Sequence, residues 1–132
     1  MIGLDTNVLV RFFTQDDPAQ SARATRLIET RCLPDDPGYI SLVTLCELAW
    51  VLSSGYGYGR ADISRLVRGI LTTSALEIEH SDRVWTALSR YENGKAGLAD
   101  YLIGVSCLEA NAKPVYTFDR HAASDALFTQ VP

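Results

Sequence analysis

Cysteine is scarce in this chain of 132 residues: there are three, Cys32, Cys46 and Cys107, odd in number and widely spaced. With no CxxC pair, neither a zinc site nor a disulfide framework is expected. Cys46 and Cys107 fall in apolar patterns, where a free thiol behaves as a small hydrophobe. The two histidines, His80 and His121, lack metal-ligand spacing and read as surface residues. No Ser stands in a GxSxG elbow, and no GxxxxGKS/T loop occurs, so a hydrolase nucleophile elbow and a P-loop are excluded. Long apolar runs are missing too. The charge-free stretches 38–46 and 49–59 fall well short of the ~18 residues of a membrane span. Met1-Ile2-Gly3-Leu4-Asp5 has no basic region and meets an acid at once, unlike a signal peptide, so the expected location is the cytoplasm. Basic charge is also short: 12 Lys and Arg against 16 Asp and Glu give −4. Binding nucleic acid by bulk charge is therefore disfavoured, and such a partner would need a local reason.

What is present suits one globular domain over residues 1–132, with 47% hydrophobic residues and no internal repeat. Short apolar runs alternate with helical periodicity, which points to the α/β class. Strands are expected at 2–4, 38–41, 76–78 and 114–118, the last buried, with an edge strand within 126–131. Helices are expected at 6–14 and from Pro18 to about Cys32, the second burying Ala22, Leu27 and Ile28. Further helices are expected at 42–53, 62–72, from 81 or 82 to about 93, and at 97–111. The expected architecture is a mostly parallel central sheet of four to five short strands flanked by helices.

Four acids stand in unusual places. Asp5 and Asp119 each follow an apolar strand directly, where ligands gather at the carboxyl edge of parallel sheets. Glu47 has Val43, Trp50 and Val51 at helical spacing, and Asp100 has Ile103 and Cys107, so both are expected to border buried stripes. A buried carboxylate costs several kcal/mol unless compensated, and neither helix offers a Lys or Arg three or four residues away. Each acid also has a purely local use. Asp5 suits a helix cap, Asp100 a helix dipole, Asp119 a turn, and Glu47 a distant Arg. One shared cause accounts for all four: a hard-oxygen ligand set selecting Mg2+ or Mn2+, one or two ions. Two divalent ions would cancel the chain's net charge, which readmits a polyanionic substrate. Such ions activate water for phosphodiester cleavage.

Asp5-Thr6-Asn7, Leu45-Cys46-Glu47-Leu48, Ala99-Asp100-Tyr101-Leu102-Ile103 and Thr117-Phe118-Asp119-Arg120, in this order and spacing, resemble the acidic motifs of PIN-domain ribonucleases. Among these they resemble the VapC-type toxins of bacterial toxin–antitoxin modules. The resemblance covers essentially the whole chain. It implies an active Mg2+- or Mn2+-dependent endoribonuclease that leaves a 5′-phosphate and a 3′-hydroxyl. Asp5, Asp100 and Asp119 would hold metal, and Glu47 would complete the site as a ligand or by orienting the attacking water. Thr6, Asn7 and Thr117 would fix the carboxylates or touch phosphate, and Arg120 is the best phosphate contact among the bases. The resemblance further implies a homodimer and a groove for a cognate antitoxin segment.

Residues 54–80 carry no motif of that family. Within them, Gly55-Tyr56-Gly57-Tyr58-Gly59-Arg60 suits either RNA stacking or a helix-to-helix turn packed at an interface. Trp50, Leu52, Tyr56 and Tyr58 are expected to form an exposed apolar patch. Other readings of the acids are a DNA nuclease or phosphatase, and a PIN-like binding module without activity. A phospho-accepting receiver is disfavoured, because no central strand ends in an acid.

Overall fold

A computed structural model describes residues 1–132. The chain forms two compact units, 1–81 and 82–132. In the first unit, β1 (Ile2–Gly3), β2 (Gly38–Ile40) and β3 (Leu76–Ile78) pair in parallel in the order β1-β2-β3. Parallel neighbours need a crossover. The chain supplies α1 (Thr6–Thr14) and α2 (Pro18–Arg31) between the first two strands, and α3 (Leu42–Gly55) and α4 (Arg60–Leu71) between the next two. The second unit holds most of α5 (Ser81–Asn93), then α6 (Leu98–Glu109), β4 (Val115–Thr117), a short α7 (Arg120–Ala123) and β5 (Phe128–Gln130). Here β4 and β5 pair in parallel. The expected α/β class, five strands and parallel pairing are all found, with the strands hydrogen-bonded as one three-stranded and one two-stranded ladder.

Local chemistry sets the element ends. Asp17 caps α2 by accepting from the Gln20 amide at 3.0 Å, with Pro18 in the first turn. The helix buries Ser21, Ala24 and Ile28, leaves Leu27 half-buried and turns Ala22 outward, whereas the sequence pattern has both Ala22 and Leu27 in the core. Ser41 caps α3 through the Thr44 amide, and Glu79 accepts from the Leu42 amide at 2.9 Å. The inner face of α3 is Leu45, Leu48 and Leu52, all fully buried. Ile63, Val67 and Ile70 do the same for α4. At Gly38 only hydrogen fits, because a β-carbon would lie 2.6 Å from Cys32 Sγ and 2.8 Å from the Leu4 side chain. That close approach seats β2 against β1 and the end of α2. All three cysteines are free, and burial pushes the Cys32 and Cys46 thiols up, as suits packing residues.

The expected buried strand over 114–118 is shorter and more open. Val115 and Thr117 are half-buried, while Pro114, Tyr116 and Phe118 are exposed. Side chains alternate along the strand, so Val115 and Thr117 share the half-buried face and Tyr116 takes the open one. No helix is long and apolar enough to cross a membrane.

Candidate active site

In the first unit, the Leu4 amide donates to the Tyr39 carbonyl at 2.9 Å and ends the β1 ladder. The next residue, Asp5, keeps an extended backbone and becomes the N-cap of α1, its Oδ1 accepting from the Thr6 amide at 2.8 Å. Thr6 is buried, and its hydroxyl donates to Glu47 Oε1 on α3. One threonine thus holds two acids from distant stretches, by its backbone on one side and its hydroxyl on the other.

The stripe around Glu47 is not buried. Val43 is 78% exposed and Trp50 68% exposed, and Glu47 itself is exposed. The core face of α3 is the Leu45-Leu48-Leu52 line, so residues four before and three after Glu47 project to the opposite side. Desolvation therefore does not explain why Glu47 lacks a basic partner on its helix. A surface carboxylate held by a hydroxyl needs none. The expected exposed patch is corrected in the same way: Leu52 is fully buried, whereas Trp50 and Tyr56 are exposed and Tyr58 is half-exposed.

In the second unit, Asp100 stands in the first turn of α6 and its Oδ2 accepts from the Gly97 amide at 3.0 Å. The helix is anchored by Tyr101, fully buried, whose hydroxyl oxygen accepts from the Lys95 and Ala96 amides at 3.1 and 3.2 Å. A β-carbon at Gly94 would lie 1.9 Å from that oxygen, so the turn before α6 closes tightly on the ring. Here too the stripe beside the acid is open: Ile103 is exposed and Cys107 half-buried. Asp119 caps α7, its Oδ1 accepting from the His121 and Ala122 amides at 2.7 and 3.1 Å. The Thr117 hydroxyl accepts from the Asp119 amide at 3.0 Å and fixes the turn. Arg120, the first residue of α7, is exposed.

Asp5 serves as the helix cap, and Asp100 and Asp119, read from sequence as a dipole and a turn residue, likewise accept helix-start amides. Each of the four acids spends one carboxylate oxygen on a hydrogen bond within the chain and forms no ion pair with Lys or Arg. The second oxygen of each is left for another ligand. Asp5 and Glu47 are brought together through Thr6, while Asp100 and Asp119 each stand at a separate helix start. No group of three or more His, Cys, Asp or Glu gathers as a metal cluster.

Three further features escaped sequence reasoning. Tyr56 donates its hydroxyl to Asp16 Oδ2 at 2.6 Å, and Arg11 reaches both Asp16 oxygens at 2.9 and 3.0 Å. These bonds fasten the Gly-Tyr-Gly-Tyr-Gly segment to the turn between α1 and α2. Phe12, Phe13, Ile28, Tyr56, Leu66 and Ile70 line an apolar groove of about 860 Å3 in the first unit. Asn7 shares a smaller depression with Arg11, Gln20 and Arg23. The helical spacing of Gln20, Arg23 and Leu27 was the available signal for that depression.

A comparison with curated proteins gives no match. A family model described as PIN domain matches residues 2–126, reaching into both units. PIN domains are generally nucleases, hydrolases that typically use divalent metals, and the family suggests a nucleic-acid substrate. Matched over nearly its whole length, the chain belongs to the PIN domain family.

Proposed function

We propose that this protein is a divalent-metal-dependent endoribonuclease and the toxin component of a toxin–antitoxin module. The observation that carries the reading is Thr6 binding Asp5 by its amide and Glu47 by its hydroxyl. It pairs the first two acids of the motif set without any neutralising base. The donor chemistry suits Mg2+ or Mn2+, since all four side chains are carboxylates and no thiolate or imidazole joins them. Asp5, Glu47, Asp100 and Asp119 would hold one or two such ions, which when bound supply positive charge to the phosphate and make water more acidic. The protein's own part is orientation. Each carboxylate is pinned through one oxygen, and Thr6 and Thr117 stiffen the two acids that follow strands. Glu47 either joins the ligands or holds the attacking water. Arg120 would meet a phosphate oxygen beside Asp119.

Two surfaces support the partner side of this reading. The apolar groove of the first unit would take an apolar segment of the antitoxin. The open α3 face with Val43 and Trp50 would serve self-association into a dimer.

The test offers matched single-stranded RNA, DNA and a phosphate monoester to the purified protein, with Mg2+, Mn2+ or EDTA. Internal RNA cleavage that needs metal and fails in Asp5→Asn and Asp100→Asn supports the proposal. Equal cutting of DNA would redirect it to a general nuclease. Unimpaired cleavage by either variant would overturn the site, and no hydrolysis of any substrate would leave a binding module.

A further inference from the structure

Asn7, Val8 and Arg11 lie on one side of α1, and Gln20, Arg23, Ala24 and Leu27 on one side of α2, at the three- and four-residue spacings that share a helix face. The two sides enclose a depression of about 430 Å3. Its apolar lining is Val8, Ala24 and Leu27, and its polar side chains are Asn7, Arg11, Gln20 and Arg23. No Asp or Glu lines it, although the chain as a whole carries −4. Arg11 is fixed in place: Nε donates to Gln20 Oε1 at 2.8 Å, and Nη1 donates to both oxygens of Asp16. The first bond consumes the acceptor of the Gln20 amide and leaves its NH2 group to donate. Arg23 is exposed and pairs with no carboxylate. Asn7 directly follows Thr6, the residue that holds Asp5 and Glu47.

We infer that this depression is a phosphate subsite for the backbone of the strand being cut, with Arg23 as its principal cation and Asn7 and Gln20 as neutral donors. The inference rests on the ribonuclease reading. It gives an acidic protein a local means of gripping a polyanion, because planar guanidinium and amide donors match phosphate oxygens and no acid opposes them. Arg11 contributes mainly by orienting Gln20, its own charge being matched by Asp16. The subsite reads backbone and not base, so it adds affinity and register without sequence preference.

The experiment uses the Asp100→Asn protein, so that RNA is bound without being consumed. The probe is a fluorescently labelled single-stranded RNA, followed by anisotropy across a salt series. Arg23→Ala added to this background is expected to weaken binding about fivefold to tenfold and to reduce the slope of log K against log salt by about 0.7, one phosphate's worth for a single strand. Arg23→Lys should recover the slope, and Arg31→Ala, at the far end of α2, should change neither quantity. Affinity and slope unaltered by Arg23→Ala, in a protein that binds RNA, would overturn the subsite and leave the ribonuclease reading intact. A background protein that binds no RNA at any salt, with a parent that cuts none, would overturn that reading and the subsite with it.

Discussion

The hydroxyl of Thr6 donates to the carboxylate of Glu47 across 41 residues of sequence. The same residue's amide donates to Asp5, so a single buried residue, through its backbone and its side chain, ties two acids together. Thr6→Val keeps the shape and the amide but removes the donor. RNA cleavage is expected to fall about 10- to 100-fold, the usual cost of losing a group that orients a ligand. Thr6→Ser should keep most of the rate. Initial rates at saturating Mg2+, with circular dichroism to verify folding, decide the matter. Equal rates for Thr6→Val and the parent would contradict this role.

Asp119 accepts two amides at the start of α7, so its charge and its capping can be separated. Asp119→Asn keeps an oxygen for the cap, whereas Asp119→Ala loses it and should cost about 1 kcal/mol of stability. Both variants are expected to be inactive. Urea denaturation should rank Asn above Ala. An active Asn variant would remove Asp119 from the ligand set.

Asp16 is held at about 2, below the ordinary 3.8, first by the Tyr56 hydroxyl and then by the Thr14 hydroxyl, with Arg11 adding to both. A lowered carboxyl favours the folded state above the ordinary carboxylate range and stops doing so as pH falls through its folded value. Asp16→Asn is therefore expected to melt below the parent at pH 7. The gap should close between about pH 4 and pH 2. Parallel melting curves at all pH values would show that the network carries no linked protonation.

Tyr101 accepts the Lys95 and Ala96 amides in the turn that leads into α6. Tyr101→Phe keeps the ring against Gly94 but withdraws that acceptor. The expected cost is about 1 kcal/mol, with faster amide exchange over 94–97. Exchange identical to the parent's would show that the hydroxyl does not hold this turn.

The element order and the parallel crossovers were legible from the sequence, because apolar periodicity and capping residues report local structure directly. Pro18 after Asp17, or Leu45, Leu48 and Leu52 at helical spacing, leaves little choice. Burial was less legible. The stripe of Val43, Glu47 and Trp50 reads as apolar, yet only the neighbouring leucine line faces the core. Periodicity identifies a face but does not say which of two apolar faces turns inward. The short α7 was missed because four residues carry no period. The acids stand out in the sequence by their positions after strands and on helices. The Thr6 tie between Asp5 and Glu47 could be anticipated only as a general role, since a hydroxyl names no partner in sequence.

Three of the four acids have helix-capping employment besides any chemistry, because Asp5, Asp100 and Asp119 hold the starts of helices. A descendant that had abandoned hydrolysis would still be pressed to retain them for folding. Glu47, in mid-α3, terminates nothing. Its tie to the fold is the Thr6 hydroxyl alone, so replacing Glu47 should disturb helix ends less than replacing any of the other three.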